Sequence, residues 1–155
     1  MPLSTVDWPG KAAMVVFLQG CPLHCPHCQN RRLQRGERYV PLHYIVSRIV
    51  SEVKGLPGPS RSALFSEGPD HASTSCHSPL QIKLDEAAQR AISKPFVDAL
   101  VLSGGEPLLQ LEACRHLFHL AKSLDLATGL ETSGIFPDHL EMLLEEELVD
   151  RIFLD

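Results

Sequence analysis

The chain has 155 residues, of which 44% are hydrophobic and 21% charged, and this balance is typical of one soluble globular domain. Its formal net charge of -5, with no basic run longer than Arg31-Arg32, argues against nucleic-acid binding by bulk electrostatics. No stretch approaches the roughly 18 apolar residues of a transmembrane helix, so we also expect no membrane partner. The five cysteines are an odd number, and three crowd into one loop. This pattern favours metal ligation over disulfides and predicts a cytoplasmic protein.

The first predicted element is a strand over Ala12 to Leu18, a continuous apolar run rich in β-branched and aromatic residues. Directly after it, Cys21, Cys25 and Cys28 form a C-x3-C-x2-C pattern with no fourth cysteine nearby. Since iron-sulfur clusters normally take four thiolates, a cluster held by these three would leave one iron open to another ligand. A zinc site that adds His24 or His27 to the cysteines is the alternative for this loop taken alone.

The middle of the chain contains one clear helix and one segment without periodicity. After Pro41, apolar residues recur at helical spacing from Leu42 to Val53 and predict an amphipathic helix. From Gly55 the sequence becomes rich in Gly, Pro, Ser and His, and we predict a flexible insertion over residues 55–84. A short helix over 85–94, stopped by Pro95, follows it.

The second half of the chain alternates strands and helices. Strands are predicted over 98–103, 126–130 and 151–154. Two amphipathic helices separate them, one around residues 111–121 and one that starts at Pro137 and extends to Leu148. The resulting β-α-β-α-β-α-β order predicts an α/β fold with a parallel sheet and right-handed crossovers in one domain of residues 1–155.

Polar motifs follow each predicted strand at its carboxyl end, where parallel α/β folds build their sites. Gly104 and Gly105 lack Cβ atoms and allow a ligand to approach the backbone, while Glu106 offers an acceptor to a cationic amine. Glu131, Thr132 and Ser133 offer a carboxylate and two hydroxyls after the third strand. With the cysteine loop, these residues outline a pocket for an amino acid joined to a nucleoside.

The cysteine loop followed by Gly-Gly-Glu-Pro resembles the radical S-adenosylmethionine superfamily. Within it, residues 4–11 (Ser-Thr-Val-Asp-Trp-Pro-Gly-Lys), 25–30 (Cys-Pro-His-Cys-Gln-Asn) and 131–134 (Glu-Thr-Ser-Gly) resemble the activating enzymes of glycyl-radical enzymes. The strongest likeness is to activators of the anaerobic ribonucleoside-triphosphate reductase. The resemblance covers nearly the whole chain except the insertion. It implies a parallel (β/α) partial barrel that is truncated here after the fourth strand.

The resemblance also implies the cofactors and the reaction. A 4Fe-4S cluster would bind S-adenosylmethionine, accept an electron from a flavodoxin or ferredoxin, and generate a 5'-deoxyadenosyl radical. This radical would abstract hydrogen from a glycine of the partner reductase. By motif position, the residues implied are cluster ligands at Cys21, Cys25 and Cys28, methionyl contacts at Gly104, Gly105 and Glu106, adenine stacking at His27, and a remaining pocket wall of Glu131, Ser133 and Asp155.

Two alternative functions remain open from the sequence. One keeps the superfamily but replaces the protein partner by a small molecule, as in enzymes that resemble 7-carboxy-7-deazaguanine synthase. The other is a non-catalytic zinc or iron-sulfur protein. The two differ in whether S-adenosylmethionine is cleaved at all.

Overall fold

The computed structural model describes residues 3–35, 39–59 and 96–154. Most of the predicted insertion, the short helix predicted over 85–94, and Asp155 lie outside these described residues. The described residues therefore include the cysteine loop, the first helix and the second half of the chain.

The described strands form one five-stranded sheet with the order β1-β2-β3-β4-β5. The strands are β1 (Leu3–Ser4), β2 (Ala13–Leu18), β3 (Ala99–Gly104), β4 (Ala127–Thr132) and β5 (Arg151–Leu154). Strands β2 to β5 are parallel, as predicted, whereas β1 pairs antiparallel with β2. The sequence did not predict β1, which is only two residues long. Strand β4 extends two residues beyond the predicted end, so Glu131 and Thr132 belong to the strand itself.

Three α-helices pack on one face of the sheet: α1 (Leu42–Lys54), α2 (Leu111–Ser123) and α3 (Pro137–Glu145). Two short 3-10 helices cover Arg31–Leu33 and Pro107–Gln110. Helix α1 ends at Gly55, whose φ of 63° is a left-handed conformation that glycine adopts without a steric penalty. Helix α3 is shorter than predicted. Leu148 lies beyond the helix, after a turn at residues 146–147, and still reaches the core.

The main core lies between the sheet and the helices. Side chains of alternate strand residues, such as Val16, Leu102 and Leu130, meet Ile49 of α1 and Phe118 of α2 there. Among the described residues, no helix is long and apolar enough to cross a membrane. Because every strand sends its next residue to the opposite side, the sheet also has a second buried face.

This second face is covered by Trp8, and we call it the Trp8 face. Trp8 is buried and clusters with Val15 and Val101. A Cβ atom on Gly129 would lie 3.1 Å from the indole ring, so the absence of a side chain there makes room for Trp8. The ring of Phe153 packs edge-on against Trp8, with 6.0 Å between the ring centroids. The Trp8 face is thus closed near the middle of the strands.

Candidate functional site

The cysteine loop begins where β2 ends and is held by backbone hydrogen bonds to the segment that returns from it. The N–H of Gly20 donates to the carbonyl of Leu33 at 2.7 Å, and the N–H of Cys21 donates to the carbonyl of Gln34 at 3.2 Å. The three cysteines have free thiols; Cys25 is exposed and the other two are half-buried. The loop base is therefore fixed while its thiols remain accessible.

The end of β3 is pressed against the same loop. The N–H of Gly105 donates to the carbonyl of Leu18 at 2.9 Å, and the N–H of Glu106 donates to the carbonyl of Gly20 at 2.8 Å. A Cβ atom on Gly105 would lie 2.3 Å from the carbonyl oxygen of Gly20, and one on Gly104 would lie 2.2 Å from that of Leu18. The side of each glycine where a Cβ would stand is filled by backbone, that of Leu18 at the end of β2 and that of Gly20 at the base of the cysteine loop. The predicted contact of these glycines with a ligand stays a prediction.

Further contacts shape the loop beyond its base. The side-chain amide of Asn30 lies 3.4 Å from the carbonyl oxygen of Gly104, a long hydrogen bond that connects the loop to β3 again. The guanidinium of Arg31 donates to the carbonyl of Pro26 across the loop. His27 is exposed near the loop tip. A groove of about 550 Å³ runs beside Cys28 and is also lined by Phe17.

Glu106 is fully buried, and its carboxylate accepts four hydrogen bonds from this chain. Oε1 accepts from the N–H of Leu108 at 3.1 Å and from the hydroxyl of Thr132 at 2.7 Å. Oε2 accepts from the N–H of Ser133 at 2.9 Å and from its hydroxyl at 2.6 Å. Two backbone donors and two hydroxyls thus compensate for the desolvation of the carboxylate. They join the ends of β3 and β4.

Thr132 was predicted, with Glu131 and Ser133, to offer a polar group to a ligand, and the sequence did not show its contact with Glu106. Its buried hydroxyl donates to Glu106 and also accepts from the N–H of Gly134 at 3.1 Å. Its place directly after Glu131 on a strand was the available signal, because alternate residues of a strand face opposite sides.

The predicted site residues therefore divide into two groups. Ser133 and Glu106 are in contact at the end of the sheet. Glu131 belongs to the Trp8 face, since the preceding alternate residues Ala127 and Gly129 both meet that face, and it pairs in register with Phe153. The predicted position Asp155 lies outside the described residues.

The donor set suits an iron-sulfur cluster by its chemistry. Cys21, Cys25 and Cys28 are free thiols on one loop, and thiolates are the ligands that such clusters take. Within the described ranges, no three Cys, His, Asp or Glu side chains converge closely enough to hold a single metal ion. The residues present fit a three-thiolate cluster whose open iron would take a further ligand.

Cys114 differs from the cysteines of the loop. It is fully buried on α2, and its thiol donates to the carbonyl of Pro107 at 3.1 Å. Burial, and then the negative charge of Glu106, raises the pKa of Cys114 to about 12. A thiol held protonated in this way is a poor metal ligand.

A parallel α/β sheet with a three-cysteine loop over the carboxyl ends of its strands defines a cluster-binding domain of the radical S-adenosylmethionine type. The model of the 4Fe-4S single cluster domain family matches residues 6–153, so the chain belongs to that family. The predicted resemblance to glycyl-radical enzyme activating enzymes is confirmed by the relatives found among curated proteins.

Three of these relatives illustrate the range. A Methanocaldococcus jannaschii protein named as a glycyl-radical enzyme activating enzyme is 28% identical over 99% of this chain and 46% of its own length. The (2S)-3-sulfopropanediol sulfolyase activating enzyme of Bilophila wadsworthia is 32% identical over 79% of this chain and 49% of its own length. The pyruvate formate-lyase-activating enzyme of Staphylococcus aureus is 29% identical over 99% of this chain and 49% of its own length. This chain spans about half the length of each. The family and these relatives support a 4Fe-4S cluster and S-adenosylmethionine as cofactors.

Proposed function

We propose that this protein is a radical S-adenosylmethionine activating enzyme that generates a glycyl radical on a partner enzyme. The observation that carries the proposal is the loop of three free thiols seated by backbone hydrogen bonds on the Gly-Gly-Glu end of β3. When bound, a reduced 4Fe-4S cluster supplies the electron that splits the sulfonium of S-adenosylmethionine into methionine and a 5'-deoxyadenosyl radical.

The protein's own residues hold and orient these cofactors. Cys21, Cys25 and Cys28 would hold the cluster. The close contact of Gly105 with Gly20 fixes the base of the cysteine loop against the end of β3, so the three thiols would be held beside that end of the sheet. Glu131 would present its carboxylate on the Trp8 face to the amine or ribose of the ligand, and Trp8, which is buried on the same face, would exclude water there.

We further propose a flavodoxin or ferredoxin as the electron donor. The support is the local charge: no Asp or Glu occurs between Asp7 and Glu37, although the whole chain is acidic. Arg32 and Arg35 are exposed on the segment that pairs with the loop base. Among the described residues, neither has a carboxylate partner within ion-pair distance. A basic surface beside the cluster favours the approach of an acidic donor.

The partner that we propose is the anaerobic ribonucleoside-triphosphate reductase, in the cytoplasm. The support is the resemblance of three segments, residues 4–11, 25–30 and 131–134, to the activators of glycyl-radical enzymes, with the strongest likeness to those of this reductase. Two of the reported relatives are named as activators of a sulfolyase and of pyruvate formate-lyase, so the partner needs its own test. A glycyl-radical EPR signal on that reductase after anaerobic incubation, and none on a pyruvate formate-lyase, is the expected result. The opposite pattern would assign a different partner.

The reaction is tested by reconstituting the full chain anaerobically with iron and sulfide, reducing it with dithionite, and adding S-adenosylmethionine. We expect 5'-deoxyadenosine and methionine in equal amounts. Cys28→Ala should abolish both the brown chromophore and the product, whereas Cys114→Ala, the control, should keep the chromophore. A reconstituted chain that carries the cluster but forms no 5'-deoxyadenosine would refute the proposal.

A further inference from the structure

The carboxylate of Glu106 has no remaining capacity for a ligand. A carboxylate offers about four lone-pair sites, and all four are taken by donors of this chain, two from backbone N–H groups and two from hydroxyls. The side chain is also fully buried. A ligand amine would have to displace one of these donors before it reached Glu106.

Three of the four donors of Glu106 come from Thr132 and Ser133, the two residues that follow Glu131. Thr132 points from β4 toward Glu106, and its hydroxyl bond of 2.7 Å fixes the direction of that side chain. Because alternate residues of a strand point to opposite faces, fixing Thr132 also fixes Glu131 on the Trp8 face. The register of β4 with β5, which pairs Glu131 with Phe153, agrees with this direction.

We infer that Glu106 is a positioning residue: its buried carboxylate joins the ends of β3 and β4 through Thr132 and Ser133 and thereby aims Glu131 at the ligand. The inference rests on the proposed function for what the ligand is, S-adenosylmethionine. It assigns to Glu106 a role different from the methionyl contact implied by its motif, and it makes Glu131 the carboxylate that meets the ligand.

Amide hydrogen exchange tests, without any cofactor, whether Glu106 joins the ends of β3 and β4. In Glu106→Gln, an amide nitrogen replaces one acceptor oxygen, so the N–H of Leu108 or the N–H of Ser133 faces a donor and loses its acceptor. We expect the amide of residue 108 or of residue 133 to exchange at least about tenfold faster. Glu131→Gln should leave these rates unchanged. If exchange at all of these amides is unchanged in Glu106→Gln, Glu106 does not join the ends of β3 and β4.

A double-mutant cycle on unfolding by urea tests whether Thr132 acts through Glu106. Thr132→Val and Glu106→Gln should be strongly non-additive, because each removes the same interaction. The matched control is Thr128→Val, a second buried threonine of β4 whose hydroxyl bonds Asp150 instead. Its effect should add to that of Glu106→Gln. Additivity in both cycles would overturn the inference.

Ligand binding separates positioning from direct contact. With the reconstituted cluster, Thr132→Val and Glu106→Gln should weaken S-adenosylmethionine binding by similar factors, roughly tenfold, and Glu131→Gln should weaken it without changing exchange at Ser133. If Glu106→Gln weakens binding while Thr132→Val does not, Glu106 touches the ligand directly and the inference fails. If the exchange and unfolding results hold but no S-adenosylmethionine is cleaved, the proposed function fails, while Glu106 still joins the ends of β3 and β4.

Discussion

Gly105→Ala is the substitution that most sharply tests how the cysteine loop is seated. The new Cβ would lie 2.3 Å from the carbonyl oxygen of Gly20, 2.8 Å from its carbon and 3.2 Å from the Cβ of Cys21. Relief requires the loop base to move away by about 1 Å, since ordinary contacts of this kind are about 3.4 Å or longer. That movement stretches the hydrogen bonds from Gly105 to Leu18 and from Glu106 to Gly20.

Two weakened buried hydrogen bonds cost about 1 kcal/mol each, and overpacking adds about 1 to 3 kcal/mol. We therefore expect Gly105→Ala to lower the free energy of unfolding by about 3 to 5 kcal/mol, measured by urea denaturation. The iron bound after reconstitution should fall as well, because Cys21 moves with the loop base.

The control is Gly10→Ala, at a glycine with a φ of 83° and nothing within 4 Å of the added Cβ. Only the cost of the left-handed backbone applies there, about 1 kcal/mol. If Gly105→Ala costs no more than Gly10→Ala, the loop is not pressed against β3 as the structure has it.

Three further predictions follow from charge and burial. Burial alone would raise the pKa of Asp150, but hydrogen bonds from Lys122 and from the N–H and hydroxyl of Thr128 lower it below its ordinary value. Ionised Asp150 therefore stabilises the fold above pH 4, and this contribution is lost as the pH falls through the folded-state pKa. Asp150→Asn should lower the free energy of unfolding by about 1 kcal/mol at pH 7, measured by urea denaturation. Below pH 4, the stability of this variant should fall less steeply with pH than that of the unchanged protein. Cys114 should resist iodoacetamide at pH 8 until the protein unfolds, as mass spectrometry would detect; fast labelling in the native state would contradict its burial. Replacing Arg32 and Arg35 by Glu should weaken flavodoxin binding roughly tenfold at low salt and remove most of its salt dependence, measured by calorimetry, while dithionite-driven cleavage stays unchanged; equal binding would refute the basic docking surface.

The alternation of strands and helices was predictable because apolar periodicity reports directly on burial. Four parallel strands and three helices appear where the sequence indicates them, with shifts of one to three residues at their ends. Strand β1 was missed because two residues are too few to show the alternation of apolar and polar side chains that indicates a strand. The end of β4 was missed because Glu131 and Thr132 read as a polar turn, although a carboxylate 26 residues away satisfies Thr132 inside the protein.

Local sequence patterns indicate which residues are candidates for the site, but they do not show the contacts that these residues make. Cysteine spacing identifies soft ligands whatever the fold, and glycines after a strand mark a close approach. No local pattern shows which group approaches Gly105 or which donors surround Glu106, because both depend on long-range contacts. Trp8 illustrates the same limit: a motif pointed to it, but only the sheet register places it against Gly129.

The central claim is that three cysteines hold a 4Fe-4S cluster whose fourth iron is open to S-adenosylmethionine. The most direct measurement is the EPR spectrum of the reduced, reconstituted chain before and after S-adenosylmethionine is added, with iron and zinc analysis of the same sample. We predict about four irons per chain, which is the content of one 4Fe-4S cluster, and a shift of the spectrum on addition. One zinc per chain, or a cluster spectrum that S-adenosylmethionine leaves unchanged, would contradict the claim.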